Sequence, residues 1–230
     1  MNLIYQIEIS AICNLKCSYC PHPNSTREKG LMSKETFLKS MELVGQLGQD
    51  WICLQNFGEP LMHPDIVEYV SIASQTVNNV VFSSNGTLLT RELAIQLKDA
   101  GLTEIYISNH CKKSLEGIKN CEGLGILTDI RKDFHHDWAG TSNKHEKYDI
   151  RQSFYSQNGC EYFIGDQVVV VLWDGRINSC CIDMDGTGII GTVWDTNSLY
   201  LAPKPFQLCQ TCNVPWVNYS LYQSKKSLEI

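Results

Sequence analysis

Along its first 130 positions the chain alternates between two hydrophobic rhythms. Short apolar or β-branched runs read as strands: Leu3 to Ile9, Trp51 to Leu54, Val80 to Ser83, Glu104 to Ile107 and Leu124 to Ile130. Between them lie stretches with apolar residues three and four apart, the helical spacing. Ser33 caps the first, which carries Phe37, Leu38, Met41, Val44 and Leu47 on one face. A second runs from about Pro64 to Gln75. Thr90 caps a third, Arg91 to Ala100, which stops at Gly101, and a weaker one covers Ser114 to Asn120. Repeated strand–helix alternation with short connections predicts a parallel sheet. About five strands and four helices are too few to close an eight-stranded barrel, so the expected fold is α/β, an open partial TIM-like barrel over residues 1–135.

Past this unit the rhythm changes. Residues 136–159 are polar and mixed, a bridging segment. From 160 to 230 the pattern predicts a small β-hairpin-containing unit. Val168 to Trp173 is strongly β-forming, Asp174-Gly175 is a hairpin turn, and Arg176 to Ser179 returns. Gly186 to Val193 adds short extended pieces, and the tail carries only a poor helical signal.

Composition narrows the setting. A chain of 230 residues with 43% hydrophobic and 19% charged residues buries a sizeable core. A net charge of −6 gives no electrostatic reason to expect nucleic acid or an anionic membrane as partner. No apolar run approaches spanning length, so a cytoplasmic location is expected. In that compartment eleven cysteines point to metal or redox chemistry rather than disulfides.

The cysteines are grouped. Cys13, Cys17 and Cys20 stand at x3 and x2 spacing on a loop directly after the first strand. Three soft thiolates so placed can hold three corners of an iron–sulfur cube. With no fourth cysteine nearby, one iron keeps an open position, where metal sites do chemistry. Zinc, or scattered buried thiols, is the competing reading. After the second strand comes Gly58-Glu59-Pro60, where a carboxylate can accept from an ammonium and glycine lets backbone approach a ligand. Its plain alternative is a turn with a solvated glutamate. Ser83, Ser84 and Asn85 follow the third strand, and Ser108 and Asn109 the fourth. Chemistry-bearing residues thus collect at the C-terminal ends of the strands, the active-site edge of such folds.

The Cys13-x3-Cys17-x2-Cys20 loop, with Tyr19 before the third cysteine, resembles the radical S-adenosylmethionine (SAM) superfamily, and Gly58-Glu59-Pro60 resembles its Gly-Gly-Glu-Pro motif, with Phe57 at the first glycine. The resemblance implies a [4Fe–4S] cluster on the three cysteines, with SAM on the open iron and one-electron cleavage to a 5′-deoxyadenosyl radical. It also implies a catalytic part for those cysteines and SAM contacts from Tyr19, Gly58, Glu59, Ser83, Ser84, Asn85, Ser108 and Asn109. Gly175-x4-Cys180-x2-Asp183 and Cys209-x2-Cys212 resemble the twitch, or shortened SPASM, extension. That implies an auxiliary [4Fe–4S] cluster on Cys160, Cys180, Cys209 and Cys212. Adjacent Cys181 competes with Cys180, and counting from Gly175 favours Cys180. A four-thiolate zinc ribbon is the alternative here. Cys111 suits either a hydrogen-atom donor or plain packing, Cys53 reads as a small buried hydrophobe, and His110, His135 and His136 as ordinary histidines near the pocket.

The layout is most similar to the aminocyclitol dehydrogenase family of butirosin biosynthesis. Asp137-Trp138-Ala139-Gly140 stands where that family carries a substrate-facing arginine. Enzymes with twitch and SPASM ends commonly mature ribosomally made peptides by epimerisation, crosslinking or backbone excision. Peptide maturation is therefore the first expectation and oxidation of an aminocyclitol or sugar alcohol the second. A non-enzymatic iron–sulfur electron carrier is the third. The expected partners are a peptide or small-molecule substrate, a reductase of flavodoxin or ferredoxin type, and a separate peptide-recognition protein.

Overall fold

A computed structural model of the chain describes residues 3–109, 111–131 and 168–210. The alternation runs β1 (Leu3–Ile7), α1 (Lys34–Leu47), β2 (Trp51–Cys53), α2 (Ile66–Ser74), β3 (Asn79–Ser84), α3 (Arg91–Asp99), β4 (Glu104–Ser108), α4 (Lys112–Asn120) and β5 (Leu127–Arg131). The caps do their expected work. Ser33 Oγ accepts from Thr36 N at 3.1 Å and Thr90 Oγ1 from Leu93 N at 3.1 Å. Two boundaries move for local reasons. A 3₁₀ turn at Pro60–Met62 precedes α2 and delays its start to Ile66. Gly123 and Gly125, both at positive φ, make a turn where the fifth strand was expected to begin.

β1 to β5 pair in parallel in the order 5-4-3-2-1, with Ile52 opposite Val80 and Phe82 opposite Ile105. The inner face of the helices buries Phe37, Met41, Val44, Tyr69, Val70, Ala94 and Leu97 against Ile4, Ile7, Ile52, Val80, Phe82, Ile105 and Ile107 of the sheet. Phe37 and Tyr69 stack at 4.1 Å, and the Tyr69 hydroxyl donates to Met32 O at 2.8 Å, anchoring α2 to the segment entering α1.

The C-terminal strands extend the same sheet. β6 (Val168–Val171) lies parallel to β1 on its free side, and β7 (Arg176–Asn178) and β8 (Ile189–Thr192) follow antiparallel, giving the order 5-4-3-2-1-6-7-8. The sheet stays open, and the Asp174-Gly175 hairpin forms as its sequence predicts. The C-terminal strands are thus continuous with the partial barrel, and β1 is an interior strand. The bridging segment 136–159 and the tail beyond 210 lie outside the described residues. No helix among the described residues is long and apolar enough to cross a membrane.

Candidate active site

Parallel pairing sends every chain exit after β1 to β4 to one edge of the sheet. There Cys13, Cys17, Cys20, Tyr19, Gly58, Glu59, Ser83, Ser84, Asn85 and Ser108 line one open cleft, together with Leu15, Gln55, Asn56 and Phe57. Residues spread over about a hundred positions of sequence converge because each follows a strand end.

The cysteine loop is fixed to its neighbours by hydrogen bonds. Asn14 Nδ2 donates to Thr87 Oγ1 at 2.8 Å, Asn85 Nδ2 to Asn14 Oδ1 at 2.9 Å, and Glu59 N to Ile12 O at 2.8 Å. Gly58 sits at φ 96°, and a Cβ there would strike the Ser10 carbonyl, so only glycine lets this loop lie against the base of the cysteine loop. Leu15 N–H donates to Cys13 Sγ at 3.5 Å. Burial pushes the Cys13 thiol above its ordinary value and that of Cys20 up to about 11, and it raises Tyr19, which also faces Cys17.

Glu59 is 1% exposed. Its Oε1 accepts from Ser84 Oγ at 2.7 Å and Leu61 N at 3.0 Å, and its Oε2 from Asn85 N at 2.7 Å. Burial lifts its pKa to about 7, with the three donors pulling the other way. The carboxylate therefore ties the end of β3 to the loop after β2, and one oxygen keeps room for a further donor from the cleft.

Among the described residues no three Cys, His, Asp or Glu side chains converge on a point that one ion could occupy. The three thiols line one shared cleft, a soft donor set of the kind that holds an iron–sulfur cube.

Not every expected residue joins them. Asn109 is half-buried and outside the cleft lining, and Cys111 is exposed at the N-cap of α4, neither packed nor in the cleft. Cys53 is 6% exposed within β2, as a small hydrophobe should be. His110, His135, His136, Cys160 and Cys212 lie outside the described residues. Of the second cysteine group, Cys180 and Cys209 are described; burial pushes the Cys209 thiol above its ordinary value, and nearby Cys180 adds to that. A hydrogen bond with Cys181, then burial, holds the Cys180 thiol well above its usual range. Asn178 Nδ2 donates to Cys180 O at 3.1 Å, steadying that turn.

A pair that the sequence pattern did not disclose joins the two cysteine regions. Glu8, fully buried just after β1, accepts from Arg27 Nη2 at 2.5 Å and Nη1 at 2.7 Å, and from the backbone N–H of Phe57 (3.2 Å) and Trp173 (3.4 Å). Arg27 Nε donates to Met184 O at 2.6 Å, and Asp185 Oδ1 accepts from Ser25 Oγ and Thr26 N, each at 2.9 Å. The loop after Cys20 is thereby docked onto the turn that follows Cys180 and Cys181.

An open, mostly parallel α/β sheet with a thiol triad at its C-terminal edge is a fold of partial-barrel type. Residues 7–110 match the family model of the radical SAM superfamily, and this part of the chain is a radical SAM domain. The chain is 36% identical over 104 residues to a probable GTP 3′,8-cyclase of Methanothermobacter marburgensis. That match covers 45% of this chain and 33% of that protein, so the chain spans about a third of this curated relative. Its fold is similar to BtrN, solved in complex with AdoMet and 2-DOIA, at TM-score 0.68 and 19% identity over 84% of this chain and 80% of that one. It is also similar to Streptococcus suis SuiB bound to precursor peptide SuiA, at TM-score 0.56 and 12% identity over 92% and 71%.

Proposed function

We propose that this chain is a radical SAM enzyme that removes a hydrogen atom from a substrate C–H bond. The observation that carries this reading is the convergence of Cys13, Cys17 and Cys20 on the cleft walled by Glu59, Ser83, Ser84 and Ser108. Bound there, a [4Fe–4S] cluster with SAM on its open iron supplies reductive cleavage of the sulfonium and hence a 5′-deoxyadenosyl radical. The chain's own groups hold and orient. The three thiols would hold the cluster, and the Leu15 N–H donates to Cys13 sulfur. Glu59 fixes Ser84 and Asn85 and offers its remaining oxygen capacity to the SAM ammonium. Cys180 and Cys209, with Cys160 and Cys212, would hold an auxiliary [4Fe–4S] cluster.

The substrate in this reading is a ribosomally made peptide. Support comes from the sheet's being open rather than closed into a barrel and from the fold shared with SuiB. A flavodoxin- or ferredoxin-type reductase and a separate peptide-recognition protein would complete the system. The second reading, oxidation of an aminocyclitol or sugar alcohol, is favoured by the higher fold likeness to BtrN over most of both chains. The decisive experiment is anaerobic reconstitution, reduction with dithionite and addition of SAM. Release of 5′-deoxyadenosine is expected. A colourless or zinc-only protein, or intact SAM as an electron carrier would leave it, refutes the reading. Deuterium passing into 5′-deoxyadenosine from labelled peptide or labelled aminocyclitol separates the two substrate classes.

A further inference from the structure

Asn56 is a polar side chain of the cleft that the proposed function leaves idle. It stands three residues past β2, is 7% exposed, and lines the same cleft as the three cysteines. Its Nδ2 is shut away from solvent and finds no hydrogen-bond partner among the described residues. Its polar neighbours already bond one another, with one Glu59 oxygen keeping room for a further donor. Glu59 serves Ser84 and the Asn85 backbone, and the Asn85 amide serves Asn14 and Thr87. The Gln55 side chain donates to the Asn56 carbonyl, so the main chain at this position is tied down while the carboxamide is left over.

A buried amide with no partner is costly, and native folds rarely keep one without a use. At the wall of a cleft that use is a ligand. We propose that Asn56 is a SAM-binding residue whose carboxamide donates a hydrogen bond to an acceptor oxygen of SAM, its carboxylate or its ribose. This rests on reading the cleft as the SAM site. The terminal amide torsion is broad and two-fold, so a half-turn about χ2 exchanges the nitrogen and oxygen of the carboxamide. The motif that drew attention to this loop begins one residue later, and Asn56 lies outside it.

The test uses the full chain reconstituted anaerobically, with SAM as probe, affinity read by equilibrium dialysis and iron by analysis. Asn56→Leu keeps the shape of the side chain and removes both polar atoms. SAM affinity is expected to fall about three- to tenfold, the worth of one neutral hydrogen bond, while iron content holds and Tm stays level or rises as the orphaned group disappears. Asn56→Asp, which keeps acceptors but loses the donor, should weaken SAM at least as much. Unchanged SAM affinity in both variants overturns the assignment. Loss of iron together with SAM overturns it too, because Asn56 would then be a prop for the cysteine loop. A wild-type chain that builds its cluster yet binds no SAM overturns the parent reading along with this one.

Discussion

Removing Arg27 tests whether the junction between the two cysteine regions is held by charge. Both side chains of the Arg27–Glu8 pair are almost wholly buried, at 5% and 0% exposure, and the contact is bidentate. Arg27→Met keeps the stem and deletes the guanidinium. Glu8 then keeps only the backbone donors of Phe57 and Trp173, at 3.2 and 3.4 Å. Stripping one partner from a buried pair costs about 3–5 kcal/mol, because the remaining charge is desolvated without compensation. For a chain of this size that is a Tm lower by roughly 6–20 °C. Burial already raises the Glu8 pKa even with Arg27 present, and the variant raises it further. A carboxyl whose folded pKa is raised binds its proton more tightly when folded, so its stability is present at low pH and lost as pH climbs through the folded value. The deficit of Arg27→Met against wild type should therefore shrink at pH 5 and widen at pH 8. Chemical denaturation of the anaerobic protein at both pH values measures it, and Arg27→Met with Glu8→Gln should recover part of the loss. A loss under about 1 kcal/mol, equal deficits at both pH values, or strictly additive single changes would refute the reasoning.

Further outcomes follow from the same geometry. Cys17→Ser should lose about four irons and all SAM cleavage. Cys180→Ser should lose about four others while Cys181→Ser keeps them, which iron analysis and absorbance check. Gly58→Ala forces a left-handed backbone on alanine and drives a Cβ into the Ser10 carbonyl, so about 2–4 kcal/mol is expected, seen as a Tm lower by roughly 5–15 °C. The Glu59 pKa, lifted by burial from 4.5 to about 7, makes the folded state the stronger proton binder. Wild type should accordingly lose up to about 3 kcal/mol relative to Glu59→Gln as pH rises from 5 to 8, and a flat difference across that range would remove Glu59 from the titration.

Much of this protein was legible in its residues for reasons of chain locality. Cys13, Cys17 and Cys20 share one loop, so their spacing alone marks a candidate metal site. The caps Ser33 and Thr90 act on N–H groups three residues away, and the Asp174-Gly175 turn closes its own hairpin. Period and punctuation were enough to order five strands and four helices, and the rule that ligands gather beyond parallel strand ends put Glu59, Ser84 and Ser108 at one edge of the sheet. Cys111 was harder to place, because only the first turn of α4 decides whether a side chain after β4 points into the cleft or out to solvent.

Tertiary structure alone decided the rest, because the deciding contacts join residues far apart in the chain. Nothing local in Val168–Val171 says that this strand adds beside β1 and continues the sheet, since a parallel neighbour is chosen by what remains unpaired at its free side. Glu8, set between Ile7 and Ile9, carries no mark of its partner Arg27 nineteen positions on, nor of the Trp173 amide. Asn56 looks like any turn residue until its amide is seen shut away beside the cleft, because a missing hydrogen bond exists only once every neighbour has been placed.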